Sequence, residues 1–208
     1  MAQAPRPTAR GRQTQDRIDA AAREVIASKG FLRMTVADIV KEADRSSASF
    51  YNYYDSKEDL LEAWAREFRD EARARAERAY DQRLTGRELV EASARAHWET
   101  YRAHLAEMVG VFQQAMINDE FARFWEELCA EAIAAIAGMV SRAQRHGYCP
   151  GVDPTLTASA IVSMLNMFCY EHLANGQASE VDDERCIATL TEMWYRAIYW
   201  KPDPSAEA

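Results

Sequence analysis

The sequence predicts an all-α protein in two parts: an N-terminal three-helix domain over residues 12–59 and a larger helical domain over residues 60–200. Three observations carry this. The six prolines (Pro5, Pro7, Pro150, Pro154, Pro202, Pro204) keep to the chain ends and one turn region, where they interrupt no helix. Between them alanine, arginine, glutamate and leucine fill long stretches with apolar residues three and four apart and no strand-like alternation. With 208 residues, 48% of them hydrophobic and 10% aromatic, the chain can bury a sizeable core, which excludes a mainly disordered protein.

The elements follow in order. A first helix is expected from Thr14 to Lys29 with Ile18, Ala21, Ala22, Val25 and Ile26 on one face; Gly30 ends it and Phe31 folds back onto its last turn. Thr35-Val-Ala-Asp38 has the form of a capping box and opens a short helix, Val36 to Glu42, with Val36, Ile39 and Val40 inward. Ala43-Asp44-Arg45 makes a tight turn, and a second short helix spans Ser46 to Tyr53. Ser56-Lys-Glu-Asp59, another capping box, launches a long helix carrying Leu60, Leu61, Trp64 and Phe68, which ends in the charged stretch up to Arg83.

Beyond Thr85-Gly86, one apolar stripe collects Leu89, Ser93, His97, Thr100 and Tyr101, continued by Met108, Val109, Phe112 and Met116. Phe121, Phe124, Trp125, Leu128, Ala132 and Ile136 make a second stripe, ending at His146-Gly147. Asp153-Pro154 is an N-cap followed by an N1 proline, and the helix behind it is apolar nearly all round until Leu173 and Asn175-Gly176. A last helix, Asp183 to Trp200, places Ile187, Leu190, Trp194 and Ile198 on one side. The first ten or so residues and the last eight are Pro/Ala-rich and expected to fray.

The informative block is residues 30–61. Two short helices around a three-residue turn have helix-turn-helix dimensions. A helix that enters the major groove, ~12 Å wide, needs a narrow polar outer side, and Ser46, Ser47, Ala48, Ser49 and Asn52 supply one without a bulky carboxylate. Phe50 and Tyr54, four apart, turn inward as core anchors; Tyr51 and Tyr53 offer hydroxyls to phosphates, contacts that position without specifying sequence. Lys57 stands in the first turn of the next helix, where a cation opposes the helix dipole, a conflict that a bound phosphate would remove.

This block resembles the DNA-binding domain of TetR-family transcriptional regulators. The resemblance rests on Gly30-Phe31, Thr35-Val36, Asp38-Ile39-Val40, Ala43, Ser46, Phe50-Tyr51, Tyr53-Tyr54 and Ser56 to Leu61; it is dense over residues 14–61 and a matter of layout beyond. It implies that Thr35, Tyr51, Tyr53 and Lys57 meet phosphates and that Ser46, Ser47, Ala48 and Asn52 lie near base edges. Three positions depart from the family pattern. Asp44 replaces a glycine in the turn, a change that left-handed backbone tolerates better for Asp than for most residues. Arg45 replaces an apolar residue and reaches toward a phosphate or an unusual operator contact. Ala48 replaces a frequent glycine at no cost inside a helix.

Residues 60–200 hold all five tryptophans. Core packing accounts for most such residues, yet Met108, Met116, Met164 and Met167 are flexible, and His97, Tyr101, Asn166 and His172 bring polar groups to the same stripes, which suits an adaptable cavity with a few orienting donors. The family resemblance implies a small-molecule effector in this domain. The expected lining is Trp98, Tyr101, Phe112, Met116, Trp125, Met164 and Phe168, and the expected ligand apolar or aromatic. Helix-turn-helix proteins read palindromes as two-fold dimers, and the last two long helices are the expected homodimer surface, the first of them being apolar on too many sides for one neighbour.

The expected function is thus a ligand-responsive repressor on a palindromic double-stranded DNA operator; the alternative is a helical small-molecule carrier or sensor that does not bind DNA. No catalytic residue is assigned: the four histidines are scattered, no nucleophile motif appears, and no cofactor is implied. The cysteines (Cys129, Cys149, Cys169, Cys186) form no C-x-x-C pair and read as reduced thiols rather than a disulfide scaffold or metal site. The N-terminus has arginines without an apolar run behind them, and the longest apolar stretch, Ile161 to Tyr170, falls short of the ~20 residues of a membrane span, so a cytoplasmic protein without membrane contact is expected.

The net charge of −8 argues against DNA binding by bulk charge. Partition sharpens this. Residues 1–35 hold seven Lys/Arg against three Asp/Glu (+4), residues 36–59 three against six (−3) and residues 60–208 fifteen against twenty-four (−9). Positive charge concentrates beside the reading block, and nonspecific DNA binding is expected to be weak.

Overall fold

The computed structural model describes residues 9–79, 84–174 and 182–202. Their helices are α1 (Ala9–Lys29), a 3-10 turn (Phe31–Arg33), α2 (Val36–Glu42), α3 (Ser47–Tyr51), α4 (Lys57–Ala79), α5 (Gly86–Ala103), α6 (Leu105–Ala115), α7 (Asp119–Arg145), α8 (Pro154–Leu173) and α9 (Asp183–Ile198), with no strand among the described residues. The expected stop at Asn175-Gly176, residues 80–83 of the charged stretch and all but residues 9, 10, 201 and 202 of the chain ends expected to fray lie outside them; Ala9 and Arg10 are helical.

The chain forms two compact units: Met1–Glu67 with Ala106–Phe121, and Phe68–Leu105 with Ala122–Ala208. In the first, α1 packs on α2 and α3. Ile18, Ala22, Phe31, Met34, Ile39, Phe50, Leu60, Leu61 and Trp64 form its core, joined from α6 by Met108 and Val111. The local signals act as expected. The α1 residues foreseen on its inner face are buried, although the helix starts five residues earlier than predicted. Gly30 takes φ 76°, and its N–H closes the last turn on the Ile26 carbonyl at 2.8 Å. Thr35 and Asp38 form the capping box reciprocally. Ser56 Oγ accepts from the Asp59 amide at 3.0 Å. Asp44 carries the left-handed turn at φ 50°.

Membership of α6 in the first unit has a visible cause. A Cβ added to Gly110 would lie 3.0 Å from Leu61 Cδ1 and 3.4 Å from Phe31 Cβ, so glycine lets α6 press on the turn after α1 and on the start of α4. Glu107, buried on α6, meets the Arg23 guanidinium at 2.7 Å, and Arg23 lies 4.5 Å over the Trp64 ring.

In the second unit α5 packs against α9 and α8. Thr85 caps α5 in a box with Glu88. The face of α5 is a correction. Thr100 and Tyr101 are buried as expected, but toward the helix start Val90, Ala94 and Trp98 are buried, one residue round from Leu89, Ser93 and His97, which are half-buried. Two neighbouring helices widen the covered face, and position alone could not say which edge they favour. The same rotation affects α6, where Glu107, Met108, Val111 and Gln114 are buried, Val109 and Phe112 half-buried and Met116 exposed. On α7 Phe121 and Ile136 are buried, Phe124, Trp125 and Leu128 half-buried and Ala132 exposed. The caps at Asp153-Pro154 and the inner face of α9 (Ile187, Leu190, Trp194, Ile198) are as expected. Cations of α5 hold acids of α9: Arg95 grips Glu184 through two bonds of 2.6 and 2.7 Å, Arg87 meets Glu192 at 2.8 Å, and Arg102 pairs with Asp183.

Candidate nucleic-acid interface

The reading motif is built from short-range chemistry. Helix α3 is a five-residue helix, shorter than the predicted Ser46–Tyr53, because Ser46 acts as its N-cap and Asn52 as its C-cap. The Ser46 hydroxyl accepts from the Ser49 amide at 3.2 Å and shares a 3.0 Å bond with the Ser49 hydroxyl. Phe50 is fully buried beneath the helix, so its rotation is set by the core and the residues around Phe50 are turned outward. Ser47, Ala48, Tyr51 and Asn52 are exposed together. Tyr51 is 54% exposed, with its ring edge against Phe50.

The other expected contact residues are more tied down. Tyr53 is half-buried and its hydroxyl donates to the Gly11 carbonyl at 2.9 Å, stitching the end of the motif to the start of α1. Thr35 keeps its hydroxyl on Asp38 Oδ2 at 2.6 Å, and the Lys29 ammonium holds the same carboxylate at 2.6 Å. The Lys29 and Thr35 hydrogen bonds bring the Asp38 carboxyl down to about 2. Arg45 is half-buried and donates to the Asp44 carbonyl at 2.7 Å.

Lys57 departs most from expectation. Its ammonium lies 4.7 Å over the Phe31 ring and donates to the carbonyls of Phe31 at 3.1 Å, Leu32 at 3.4 Å and Met34 at 2.9 Å. The cation at a helix N-terminus is thus compensated by the protein's own carbonyls around the 3-10 turn, that of Phe31 being shared with the Met34 N–H. A bound phosphate is not needed to resolve the conflict.

One polar network behind the motif had no signal in the pattern. Tyr54 donates to Asp19 Oδ1 at 2.8 Å and accepts from Gln15 Nε2 at 3.1 Å, tying the end of the motif to α1. Burial pushes the Asp19 carboxyl above its ordinary value against the pull of the Tyr54 bond, and burial likewise raises the Tyr54 phenol. Buried Glu107 carries no such signal either, since a charged residue between apolar ones reads as solvated.

The residues expected to line an effector site divide between the units. Trp98 and Tyr101 on α5, Trp125 on α7, and Met164 and Phe168 on α8 belong to the second unit; Phe112 and Met116 on α6 belong to the first. Within the second unit the structure brings Trp98 and Phe168 to 6.2 Å between ring centroids, and the Trp98 indole N–H is held by Asp183 at 3.1 Å. Phe168 in turn lies 4.2 Å from the His172 ring. Buried polar groups of this unit are satisfied close at hand: Thr100 and Thr191 donate to carbonyls four residues back, at 2.6 and 2.7 Å. Two buried polar atoms here have no partner, His97 Nε2 and Trp194 Nε1. Such an atom costs about 1–3 kcal/mol of desolvation. No described group of three His, Cys, Asp or Glu residues gathers as a metal site would, and no described helix is long and apolar enough to cross a membrane.

A capped pair of short helices, held on a small core and showing serine, alanine, tyrosine and asparagine outward, defines a helix-turn-helix DNA-binding regulator. Comparison with known proteins places it further. Residues 18–64 match the model of the bacterial regulatory proteins of the tetR family, and residues 90–200 match the C-terminal domain of the transcriptional regulator EthR. The chain belongs to the TetR family of transcriptional regulators, proteins that bind DNA and respond to ligands. It is 24% identical over 185 residues to the HTH-type transcriptional regulator EthR of Mycolicibacterium smegmatis, covering 86% of this chain and 83% of that one. A tetR-family regulatory protein from Rhodococcus RHA1 superposes with a TM-score of 0.75 at 21% identity, covering 91% of this chain and 98% of its own. The fatty acid degradation regulator FadR from Bacillus halodurans does so with a TM-score of 0.67 at 17% identity, covering 87% and 94%.

Proposed function

We propose that this regulator is a homodimeric repressor that holds a palindromic operator in the cytoplasm and is released by a small, mainly apolar effector. The outward set on α3 carries the reading. Ser47, Ala48 and Asn52 lie near base edges, joined by Ser46 and Ser49 at the cap, where a small polar surface fits the major groove. Tyr51 and Arg45 meet phosphates. Thr35, Tyr53 and Lys57 act at one remove, holding the turns that aim the motif.

Dimerisation is assigned to α8 and α9. Leu156, Ala160, Ser163 and Met167 follow one another at spacings of four, three and four on α8, and all are exposed; Leu156 is 71% exposed. Met193 adds an exposed thioether from α9. Such an apolar row on packed helices suits a shared four-helix interface. Two copies then present two reading helices to half-sites one helical turn, ~34–36 Å, or a multiple apart. The effector binds better to the conformation whose reading helices miss that spacing, so operator affinity falls.

The test is a mobility-shift assay on the promoter of the protein's own gene and of its neighbours, paired with sedimentation. A specific shift by a dimer is expected, and Met167→Glu should yield monomers that no longer shift the same DNA. Folded protein that retards every sequence equally would overturn the repressor reading.

A further inference from the structure

The second unit contains a polar atom that its own fold leaves unused. His97, on α5 between the buried residues Ala94, Trp98 and Tyr101, has a half-buried ring whose Nε2 is shielded from water and meets no hydrogen-bond partner. The Tyr101 ring lies 6.1 Å away, tilted at 41°. Folded proteins rarely keep such an atom, and where they do it calls for a specific reason.

The polar groups around it narrow what could answer it. The buried threonine hydroxyls of this unit, Thr100 and Thr191, are closed on their own helices. The Trp98 indole is held by Asp183. The unit's cations on α5 are engaged at the surface with acids of α9, and no charged residue of this unit is buried among the described residues. A charged ligand group brought beside His97 would therefore find no buried counter-ion, whereas a neutral oxygen would find one unsatisfied nitrogen. An imidazole Nε2 serves either as donor to a carbonyl or as acceptor from a hydroxyl, according to its tautomer.

We propose that His97 Nε2 is the polar anchor of the effector site, and that the effector is a neutral, largely apolar molecule carrying a carbonyl or hydroxyl oxygen. This rests on the effector-responsive reading above and adds to it the ligand's charge and the atom that recognises it. Burial supports the assignment by drawing the imidazole down to about 4, so that the ring is uncharged near neutrality. The Tyr101 ring beside His97 offers an aromatic face for the apolar remainder.

The experiment uses the full-length protein and three probes of one shape: 2-acetonaphthone, 2-ethylnaphthalene and 2-naphthoate, titrated calorimetrically into the parent and His97→Phe. The parent is expected to bind the ketone at least tenfold more tightly than the hydrocarbon and to bind the carboxylate most weakly. His97→Phe should lose the preference for the ketone while binding the hydrocarbon as before. In the 15N-histidine-labelled parent, the Nε2 resonance should move with the ketone and stay in place with the hydrocarbon. Equal binding of ketone and hydrocarbon by the parent, a preference that survives in His97→Phe, tighter binding of the carboxylate, or no binding of any probe would each overturn the proposal. A mobility-shift assay on the same preparations separates the two readings: failure to retard any operator overturns the regulator reading while the anchor is still read from the probe series.

Discussion

Replacing Lys57 by methionine keeps an apolar stem over the Phe31 ring and removes the ammonium from three carbonyls. Two of the contacts, 3.1 Å to Phe31 and 2.9 Å to Met34, are ordinary hydrogen bonds; the third, 3.4 Å to Leu32, is long. A hydrogen bond to a charged group contributes about 1.5–3 kcal/mol, and with the side chain 19% exposed the lower end applies to the two good ones. The ammonium over the Phe31 ring adds about 0.5 kcal/mol. Water can reach part of the vacated turn, since Leu32 and Arg33 are exposed. The expected net loss is about 2 kcal/mol, a drop in Tm of about 4–8 °C for a chain of this length. Thermal denaturation at fixed protein concentration measures it, alongside operator affinity over a range of salt. Each phosphate contact contributes about 0.9 to the slope of log K against log salt. The free variant should melt lower with its slope unchanged. A variant that melts like the parent but loses a slope of about 0.9 would refute the reasoning, because the ammonium would then belong to a phosphate and not to the turn.

Other perturbations bear on neighbouring elements. Burial raises the Asp19 carboxyl, so the native fold favours its protonated form and the ionised form is a cost at pH 7 that fades as pH falls through the native value. Asp19→Asn, which keeps an acceptor for Tyr54, should raise Tm at pH 7 by an amount that shrinks toward pH 4. Asp38 behaves oppositely: its carboxyl, held near 2 by Lys29 and Thr35, supports the fold above about pH 4, and that support is lost as pH falls toward 2. Asp38→Asn should therefore lower Tm at pH 7 and converge with the parent in acid. Tyr53→Phe removes the bond to Gly11 and should cost about 0.5–1.5 kcal/mol in denaturant titration, while Tyr51→Phe should stay within about 0.5 kcal/mol of the parent and weaken all operators alike. Glu107→Ala takes a buried carboxylate from a partly exposed Arg23 and should destabilise by about 1–3 kcal/mol, seen as a lower midpoint in urea.

Legibility in the sequence followed the range of the forces involved. Gly30, the Thr35–Asp38 box, Asp153-Pro154 and the inner face of α9 are satisfied within a turn or two of chain, so composition and spacing announce them. The short helix pair and its outward serines were legible for the same reason, and with them the DNA-reading role. Which side of α5 and α6 is buried was not, because that depends on neighbours far along the chain that cover one flank more than the other. Only the assembled molecule could decide that Lys57 answers the carbonyls of residues 31–34, that α6 joins the first unit through Glu107 and Gly110, and that His97 is left with an unanswered nitrogen. Each of these is a pairing between distant residues or the lack of one, and a linear pattern carries local periodicity but no record of which side chains meet.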